Sequence, residues 1–257
     1  MLQIDWQQPW FAAWARHGEQ VLHAWQHQPL DLPSALNQSL LIDSNHPTST
    51  RPLNSPQRQW RFVQQHALAE GCAYEAYIFQ QGQIPTRNNA HDFFNGLCWL
   101  RFPKTKAQLN RLQAQAIAKD GVGAQRGALR DALTLFDENA VLLCAPPSLW
   151  QALQAKQWHA LFVTQREQWR DAQLVLFGHA LLEKLMQPYK GMTAHVLCMP
   201  MPQLKNDEDI DAWLCQQLTP DYLTSKPFTP LPLAGVPGWW PGNEVPAFFE
   251  DKKVFRD

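Results

Sequence analysis

Prolines and apolar residues at helical spacing together limit what this chain can fold into. The 257 residues include 20 prolines and 12 tryptophans. Proline fixes one backbone dihedral and lacks an amide donor, so it ends helices and favours extended connections. Between the prolines, apolar residues recur every three or four positions, as in Trp10, Trp14, Val21 and Trp25, which is typical of helices that bury one face. The chain is therefore predicted to be mainly α, in an α+β arrangement with a small β-sheet.

The periodicity also gives approximate bounds for the individual elements. It predicts helices over about residues 9–27, 34–41, 56–70, 91–100, 106–119, 125–144, 148–158, 171–187 and 207–218. The expected N-caps are Asn88 or Asn89, Thr105, Ser148 and Asp207. Residues 73–79 and 193–199 are rich in β-formers and are predicted strands. Residues 159–163 are expected to be a short strand or a buried connection, and the polar residues 43–55 a loop.

The composition changes after residue 218. Seven prolines follow, at positions 220, 227, 230, 232, 237, 241 and 246, together with Trp239, Trp240, Phe248, Phe249 and Phe255. The prolines exclude long helices, and the aromatic residues are too apolar for a linker exposed to water. We therefore expect residues 1–218 to form a helical domain with a minor sheet. Residues 219–257 are expected to be an extended tail packed on that domain, with docking on a partner as the alternative.

Charge and cysteine usage limit the classes of partner. A net charge of −1 provides neither the basic surface that nucleic acid needs nor a polybasic membrane patch. No signal-peptide pattern opens the chain, and no apolar run approaches the roughly 20 residues of a membrane span. The five cysteines are odd in number and widely spaced, which indicates reduced thiols. The sequence therefore predicts a cytoplasmic protein without a nucleic-acid or membrane partner. It makes no prediction of the oligomeric state.

Four polar clusters interrupt the most apolar segments. They are His91-Asp92 with Asn95, Asp137-Glu138-Asn139, His179 with Glu183, and His195. Charged and imidazole groups are costly to bury unless they are paired, hydrogen-bonded or bound to metal. The clusters therefore predict either one site between helices or internal polar contacts that hold a helical domain together.

Two of the clusters lie at helical spacing. His91 and Asn95 are four residues apart, as are His179 and Glu183, so each pair shares a helix face. An imidazole and a carboxylate on one face suit metal binding, and they equally suit a His–Glu hydrogen bond that orients the ring. Near the start of its helix, Asp92 also suits a structural role against the helix dipole.

The other two clusters are open to both interpretations. Asp137 and Glu138 are adjacent on a predicted helix and point about 100° apart, so one of them can face a site while the other faces solvent. A salt-bridge lattice with Arg126 and Arg130 is the structural alternative. His195 lies on a predicted strand, where a packed and hydrogen-bonded ring is the usual role. The short connection from the His179 helix predicts that this strand and helix are neighbours.

Together the clusters supply the ligands of a candidate metal site. Three imidazoles, those of His91, His179 and His195, with nearby carboxylates suit a divalent metal such as Zn²⁺. A metal with an open position lowers the pKa of bound water to about 7. Glu138 or Glu183 is the candidate catalytic base for that water.

Three further residues are candidates for holding a small-molecule ligand. Arg130 suits an anionic group, while Asn95 and Asp92 lie beside His91 on the same helix. The chain has no nucleophile elbow, Walker loop or dinucleotide-binding turn. We therefore predict, as the leading function, metal-dependent hydrolysis of a small molecule at a polar site between helices. The alternative is a non-catalytic ligand-binding or protein-interaction protein whose clusters are structural.

Several long motifs resemble one known family. They are Tyr74-Glu75, residues 84–97 (IPTRNNAHDFFNGL), residues 99–103 (WLRFP), residues 126–139 (RGALRDALTLFDEN) and residues 177–183 (FGHALLE). These stretches, and the style of the tail over 237–256, resemble the bacterial family catalogued as domain of unknown function 3025. The resemblance covers nearly the whole chain and implies a single-family bacterial protein with no fused module. It implies no activity, cofactor or catalytic residue.

Overall fold

The computed structural model describes residues 2–44, 60–121, 127–199 and 206–256. The α-helices are α1 (Ala15–His27), α2 (Leu32–Ser44), α3 (Tyr74–Gln81), α4 (Ala90–Arg101), α5 (Pro103–Asp120), α6 (Ala128–Asn139), α7 (Pro147–Gln154), α8 (His179–Lys184), α9 (Asp207–Gln217) and α10 (Pro220–Thr224). The strands are β1 (Arg61–Gln64), β2 (Gln83–Thr86), β3 (Ala140–Cys144), β4 (Gln173–Leu176), β5 (Thr193–Met199) and β6 (Thr229–Pro232). This architecture confirms the prediction of a mainly α protein with a small sheet.

The strands form two small sheets. β1 and β2 pair in parallel, and the larger sheet has the order β4-β3-β5-β6. Within the larger sheet β3 is parallel to β5, whereas β4 and β6 run antiparallel to their neighbours. All five residues of β3 are buried, as expected for a central strand covered on both faces. The sheet fixes the end of α6, because β3 follows α6 without a connecting residue.

Two predicted elements near the start of the chain are wrong. The described part of the helix predicted over 56–70 contains β1, which pairs with β2 in the register Phe62 to Ile84. The strand predicted over 73–79 is instead helix α3, which Gly82 ends in the left-handed conformation. Packing against α5 decides the conformation of α3 over its β-forming composition. Most of the loop predicted over 43–55 lies outside the described residues.

Two predicted helices are too long because each includes a buried strand. The helix predicted over 125–144 ends at Asn139, and the apolar run after it is β3. The helix predicted over 171–187 is divided into β4 and the short α8. A short, fully buried apolar run has the same periodicity in a central strand as in a buried helix. The 193–199 strand is confirmed, while residues Ala160–Thr164 form a π-helix.

Helix caps follow the predictions in one case of four. Asn89 caps α4, with its side-chain oxygen accepting a hydrogen bond from the amide of Asp92 at 2.7 Å. The predicted cap Thr105 lies inside α5, which begins at Pro103. Asp211 of α9 accepts the amides of Lys104 and Thr105 at 2.9 and 2.7 Å instead. A carboxylate from another helix therefore satisfies the first turn of α5.

The remaining two caps are displaced by one or two residues. Asn206, and not Asp207, accepts the amide of Asp209 and caps α9. Helix α7 begins at Pro147, so Ser148 lies in its first turn. Proline suits that first position because it has no amide to leave unsatisfied.

Residues described within 219–256 contact the rest of the chain at several points. Strand β6 pairs with β5, and Phe249 and Phe255 lie against Phe162, with ring centroids 5.3 and 6.0 Å apart. The indole of Trp158 donates a hydrogen bond to the carbonyl of Arg256 at 2.8 Å. Aromatic packing thus places the tail on the body of the protein.

No helix within the described ranges combines the length and apolarity needed to cross a bilayer.

Candidate functional site

A cavity of about 540 Å³ lies between α3, α4, α5, α6 and α8. Its lining includes titratable groups from all five helices, namely Tyr74, Glu75, Arg87, His91, Asp92, Lys106, Arg130, Asp137, Glu138 and His179, of which Arg87 just precedes α4. Apolar side chains, including Trp99, Leu109 and Leu133, complete the wall. A concave cavity with convergent polar groups on an apolar wall is typical of a small-molecule site.

Two histidines meet at one end of this cavity. Nε2 of His91 lies 3.1 Å from Nε2 of His179, and the two rings are nearly perpendicular. Nδ1 of His91 lies 2.9 Å from Oε2 of Glu183, and Nδ1 of His179 lies 2.8 Å from the carbonyl oxygen of Asp137. The four residues therefore form one continuous polar chain. It runs from Glu183 of α8 to His91 of α4, then to His179 of α8 and to Asp137 of α6.

The hydrogen-bond partners of the two rings indicate which of their nitrogens act as donors. A carbonyl oxygen only accepts hydrogen bonds, so Nδ1 of His179 carries a hydrogen. Burial lowers the pKa of His179 to about 4, so its Nε2 is unprotonated at neutral pH and accepts from Nε2 of His91. The carboxylate of Glu183 accepts from Nδ1 of His91 in the same way. Each nitrogen of His91 therefore faces a hydrogen-bond acceptor, the carboxylate of Glu183 on one side and Nε2 of His179 on the other.

A buried lysine supports the His179 end of the chain. Nζ of Lys106 donates to Oδ1 of Asp137 at 2.5 Å and to Oδ1 of Asn95 at 2.8 Å. Nδ2 of Asn95 donates in turn to the hydroxyl of Tyr74. Burial opposes ionisation of Asp137, but the charge of Lys106 outweighs it and the pKa of Asp137 falls below its usual value. Burial also keeps Tyr74 neutral, since its pKa lies well above the usual range.

Helix α4 presents His91 because its first turn is fixed on both sides. Asn89 caps the helix, and the carboxylate of Asp92 accepts from the amide and the guanidinium of Arg87 at 2.6 to 3.1 Å. Phe93 and Phe94, which follow in the same turns, are fully buried. The carboxylate of Asp92 therefore forms an ion pair with Arg87. It also lies in the first turn of α4, where the helix dipole stabilises a negative charge.

Gly178 allows α8 to approach the end of α6. Its amide donates to the carbonyl of Ala140 at 2.9 Å. A Cβ at position 178 would lie 2.4 Å from the carbonyl oxygen of Glu138, which is closer than any side chain can pass. This contact of two backbones sets the position of His179, the next residue along the chain.

Two residues of the cavity lining, Asn110 and Arg130, each carry a buried polar atom that lacks a hydrogen bond within the described ranges. Nδ2 of Asn110 donates to the carbonyl and the carboxyl of Glu75, while Oδ1 of Asn110 has no partner among the described residues. The same holds for Nε of Arg130. Burial raises the pKa of Glu75, because desolvation favours the neutral form of its carboxyl.

The structure brings some of the sequence-derived candidates together and leaves others apart. His91, Asp92, Asn95, Arg130, Glu138 and His179 line the cavity, and Glu183 reaches it through His91. His195 does not line the cavity; it lies on β5 opposite Ala140 and Pro230, with a pKa lowered by burial. The expected convergence of His195 with His91 and His179 is therefore absent, because its strand runs through the sheet beyond α6.

The expected partners of two candidates also differ. Asp137 pairs with Lys106 and not with Arg130, while Arg126 lies outside the described residues. Glu183 bonds to His91 of α4 and not to His179 of its own helix. Across the described ranges, no group of three or more His, Cys, Asp or Glu side chains is arranged to hold a metal ion.

Lys106, Tyr74, Glu75 and Asn110 were not among the candidates. A signal for two of them exists in α5, where Lys106, Asn110 and Gln113 recur at helical spacing and so share one face. All three line the cavity. Buried polar side chains at helical spacing beside the apolar face of a helix are the pattern that predicts such a wall.

A second cavity of about 490 Å³ lies between Pro9, Trp169, Pro237 and Trp239. None of the candidate residues lines it. Its Arg166 already donates to the backbone and side chain of Asn243 at 2.9 and 3.0 Å. The helix-lined cavity, with its histidine pair, is therefore the better candidate for chemistry.

Comparison with known proteins identifies a family but not an activity. The family model described as "Protein of unknown function (DUF3025)" matches residues 60–257. That span includes every residue of the cavity described above. No curated protein and no solved structure matches the chain. The chain belongs to the DUF3025 family of proteins of unknown function.

Proposed function

We propose that this protein is an enzyme that hydrolyses a small polar molecule in the helix-lined cavity by proton transfer through His91. The contact between the two Nε2 atoms of His91 and His179, with Glu183 on the far side of His91, carries the proposal. An imidazole in a cavity wall, held by a carboxylate on one nitrogen and hydrogen-bonded through the other to a second imidazole, suits a general acid or base.

Three residues of this polar chain, together with Glu138, have a role in the proposed reaction. His91 donates its Nε2 proton to the leaving group, and Glu183 orients the ring and stabilises its positive charge. Neutral His179 holds the Nε2 proton in position before substrate binds. Glu138, in the same cavity wall, takes the proton of the attacking water. Return of that proton to His91 completes the cycle.

The exposure of the pair suits a reaction with water. The side chain of His91 is 37% exposed and that of Glu183 is 39% exposed, so water reaches both groups. The side chain of His179 is only 7% exposed, so it remains fixed as the inner partner. This asymmetry favours His91 over His179 as the residue that exchanges protons with substrate.

A second candidate is a metal-dependent form of the same hydrolysis, with a divalent metal such as Zn²⁺. Histidines that bind metal commonly donate their other N–H to a carboxylate or a carbonyl, as His91 does to Glu183 and His179 to Asp137. Two nitrogens 3.1 Å apart can both reach one metal at about 2.0 Å. Water or substrate would then supply the remaining ligands.

Hydrolysis of p-nitrophenyl acetate and p-nitrophenyl phosphate by the purified protein tests the proposal. We expect His91→Asn to lower kcat/KM for the better probe by about 100-fold or more, as loss of a general acid does. His195→Asn, a histidine on the sheet away from the cavity, is the matched control and should retain activity. Equal rates for the wild type and His91→Asn, or no cleavage of either probe, would count against the proposal.

Nitrogen chemical shifts and metal titration separate the two candidates. Under the acid–base form, ¹⁵N NMR at neutral pH should show a hydrogen on Nδ1 of His179 and none on its Nε2. The metal form predicts stoichiometric Zn²⁺ binding by calorimetry, lost in His179→Asn, and activity removed by a chelator.

A further inference from the structure

The hydroxyl of Tyr74 carries a hydrogen that has no acceptor in the described part of the chain. Nδ2 of Asn95 lies 3.4 Å from the hydroxyl oxygen, and Oδ1 of the same amide accepts from Nζ of Lys106 at 2.8 Å. An ammonium group only donates, so the contact with Lys106 fixes which end of the amide is the oxygen. The NH₂ end therefore donates to Tyr74, and the hydrogen of the hydroxyl is left for another acceptor.

An occupant of the helix-lined cavity can supply that acceptor. Tyr74, Asn95 and Lys106 all line the cavity, and Tyr74 is only partly buried. Polar hydrogens inside folded proteins are nearly always bonded to protein or to water, so this one is available to water or to an oxygen of a ligand. Burial raises the pKa of Tyr74 well above its usual value, so the hydroxyl keeps its hydrogen at neutral pH.

A closed ring of contacts connects Tyr74 to the histidine pair. The members of the ring are, in order, His91, His179, Asp137, Lys106 and Asn95. The ring closes within α4, because Asn95 lies one turn after His91 and shares its helix face. Tyr74 joins the ring at Asn95, so its hydroxyl lies about one helical turn from the proposed acid.

From this arrangement we infer that Tyr74 is a further catalytic residue, whose hydroxyl donates a hydrogen bond to the carbonyl oxygen of an acyl substrate, an ester or an amide. The inference rests on the proposed hydrolysis and names its substrate class. A donor placed where negative charge develops in the reaction is commonly the largest single contribution to catalysis. Asn95 and Lys106 act through Tyr74 and are positioning residues.

The bond changes of acyl hydrolysis give Tyr74 a defined step. Water forms a bond to the acyl carbon as Glu138 takes one of its protons, and the C=O electron pair moves onto the carbonyl oxygen. Tyr74 stabilises the negative charge of that oxygen. The pair then returns to carbon, the bond to the leaving group breaks, and the leaving atom takes the proton of His91. The proton on Glu138 passes to His91, and the acid and the alcohol or amine depart.

Charge in the cavity favours a neutral acyl group over a phosphate ester. The lining has three cationic side chains and four acidic ones, namely Arg87, Lys106 and Arg130 against Glu75, Asp92, Asp137 and Glu138. Two of the cations already pair with carboxylates of the same lining, so little positive charge is left to attract a phosphate dianion. A single phenol donor also matches the single oxygen of a carbonyl group.

Steady-state kinetics of the full-length protein with p-nitrophenyl acetate test the role of Tyr74. Tyr74→Phe should lower kcat about 100-fold, as loss of one donor to a developing oxyanion does, and change KM much less. The matched control is Tyr77→Phe on the same helix, whose hydroxyl donates to Gln83 at 2.7 Å; it should leave kcat unchanged. Faster cleavage of p-nitrophenyl phosphate than of the acetate would overturn the substrate class.

Asn95→Asp separates the direction of the hydrogen bond from the mere presence of the hydroxyl. A carboxylate at this position accepts from Tyr74 and no longer donates to it, so the protein itself takes up the hydroxyl hydrogen. The kcat for p-nitrophenyl acetate should fall about as far as in Tyr74→Phe, with folding checked by thermal unfolding. Full activity in this variant would contradict the inference.

A ketone separates the inference from the proposed hydrolysis. In 4-nitrophenylacetone a CH₂ group replaces the ester oxygen of p-nitrophenyl acetate, so the molecule binds without being cleaved. Infrared difference spectra with the ¹³C-labelled carbonyl should show a lower C=O stretching frequency on the wild type than on Tyr74→Phe, because a hydrogen bond weakens the C=O bond. That shift without ester hydrolysis by the wild type would sink the proposed function and leave the carbonyl site standing.

Three results would overturn the inference while leaving the proposed function intact. They are hydrolysis that requires His91 but not Tyr74, equal carbonyl frequencies on the wild type and Tyr74→Phe, and no binding of the ketone by a wild type that cleaves the ester.

Discussion

Nζ of Lys106 lies 2.5 Å from Oδ1 of Asp137, and the side chain of Lys106 is only 5% exposed. Removing one partner of a buried ion pair leaves an uncompensated charge in a poorly solvated place. We therefore expect Lys106→Met to lower the free energy of unfolding by about 3 kcal/mol, measured by urea denaturation at pH 7. Lys104→Met, two residues away and exposed, is the control. A loss below about 1 kcal/mol for Lys106→Met would place the pair among weak surface contacts.

His179 gives stability a pH dependence of defined sign. Burial holds its folded pKa near 4, against 6.5 as the reference. As pH falls below about 6.5, the unfolded chain binds a proton that the folded protein does not, so stability decreases. Between pH 7 and pH 5 this amounts to about 2 kcal/mol. Denaturant unfolding should show this loss of unfolding free energy in the wild type, and a loss smaller by that amount in His179→Asn. The same pH dependence of the unfolding free energy in both proteins would contradict the lowered pKa of His179.

Gly178 should tolerate no side chain. Its Cβ would lie 2.4 Å from the carbonyl oxygen of Glu138 and 2.5 Å from the amide nitrogen of Asn139. Gly178→Ala should therefore push α8 away from α6, at a cost of about 1–3 kcal/mol, and disturb the His179 signals in NMR. Gly127→Ala, at a position with nothing within 4 Å, is the control and should behave like the wild type.

Asp211 caps a helix other than its own. Its two carboxylate oxygens accept the amides of Lys104 and Thr105. Asp211→Asn replaces one of these acceptors by a donor, so one amide loses its partner. The free energy of unfolding should therefore fall by about 1–2 kcal/mol, which thermal unfolding would show as a lower melting temperature. Asp209→Asn, an exposed carboxylate on the same helix, should change stability by less than about 0.5 kcal/mol.

Phe255 tests whether the tail belongs to the core of the domain. It is fully buried and its ring contacts those of Trp158, Phe162 and Phe249. Phe255→Ala should cost about 3–5 kcal/mol of unfolding free energy in a single cooperative transition. The exposed Val245 provides the control, Val245→Ala. A separate early transition for Phe255→Ala would mean that residues 219–257 form an independent unit.

Local signals in the sequence predict the elements whose stabilising contacts are themselves local. Asn89 caps α4 as expected, since the bond from its side chain spans three residues. By contrast, nothing local separates β3 from the helix before it, because Ala140 to Cys144 are buried on every side. The aromatic composition of α3 predicts a strand for the same reason. The helical conformation of this segment depends on packing against α5, which lies 30 or so residues further along the chain.

The candidate site likewise combines residues that have a local signal in the sequence with contacts that depend on how the helices pack. The polar clusters at His91 and His179 stood out because such residues are rarely buried without partners. Their convergence, and the absence of His195 from it, depend on how α4, α8 and the sheet pack. Spacing within one helix suggested a bond between His179 and Glu183, whereas Glu183 turns to His91 of a different helix.

The contact between His91 and His179 joins residues 88 positions apart, and that between His91 and Glu183 joins residues 92 apart. Contacts of such long sequence separation form only after the intervening chain has closed into place. Within that interval β3 and β4 pair, and α8 then begins on the carbonyl of Ala140. A nascent chain that ends before α8 therefore lacks His179 and Glu183, and the contact between the two histidines forms only once α8 has packed against α4.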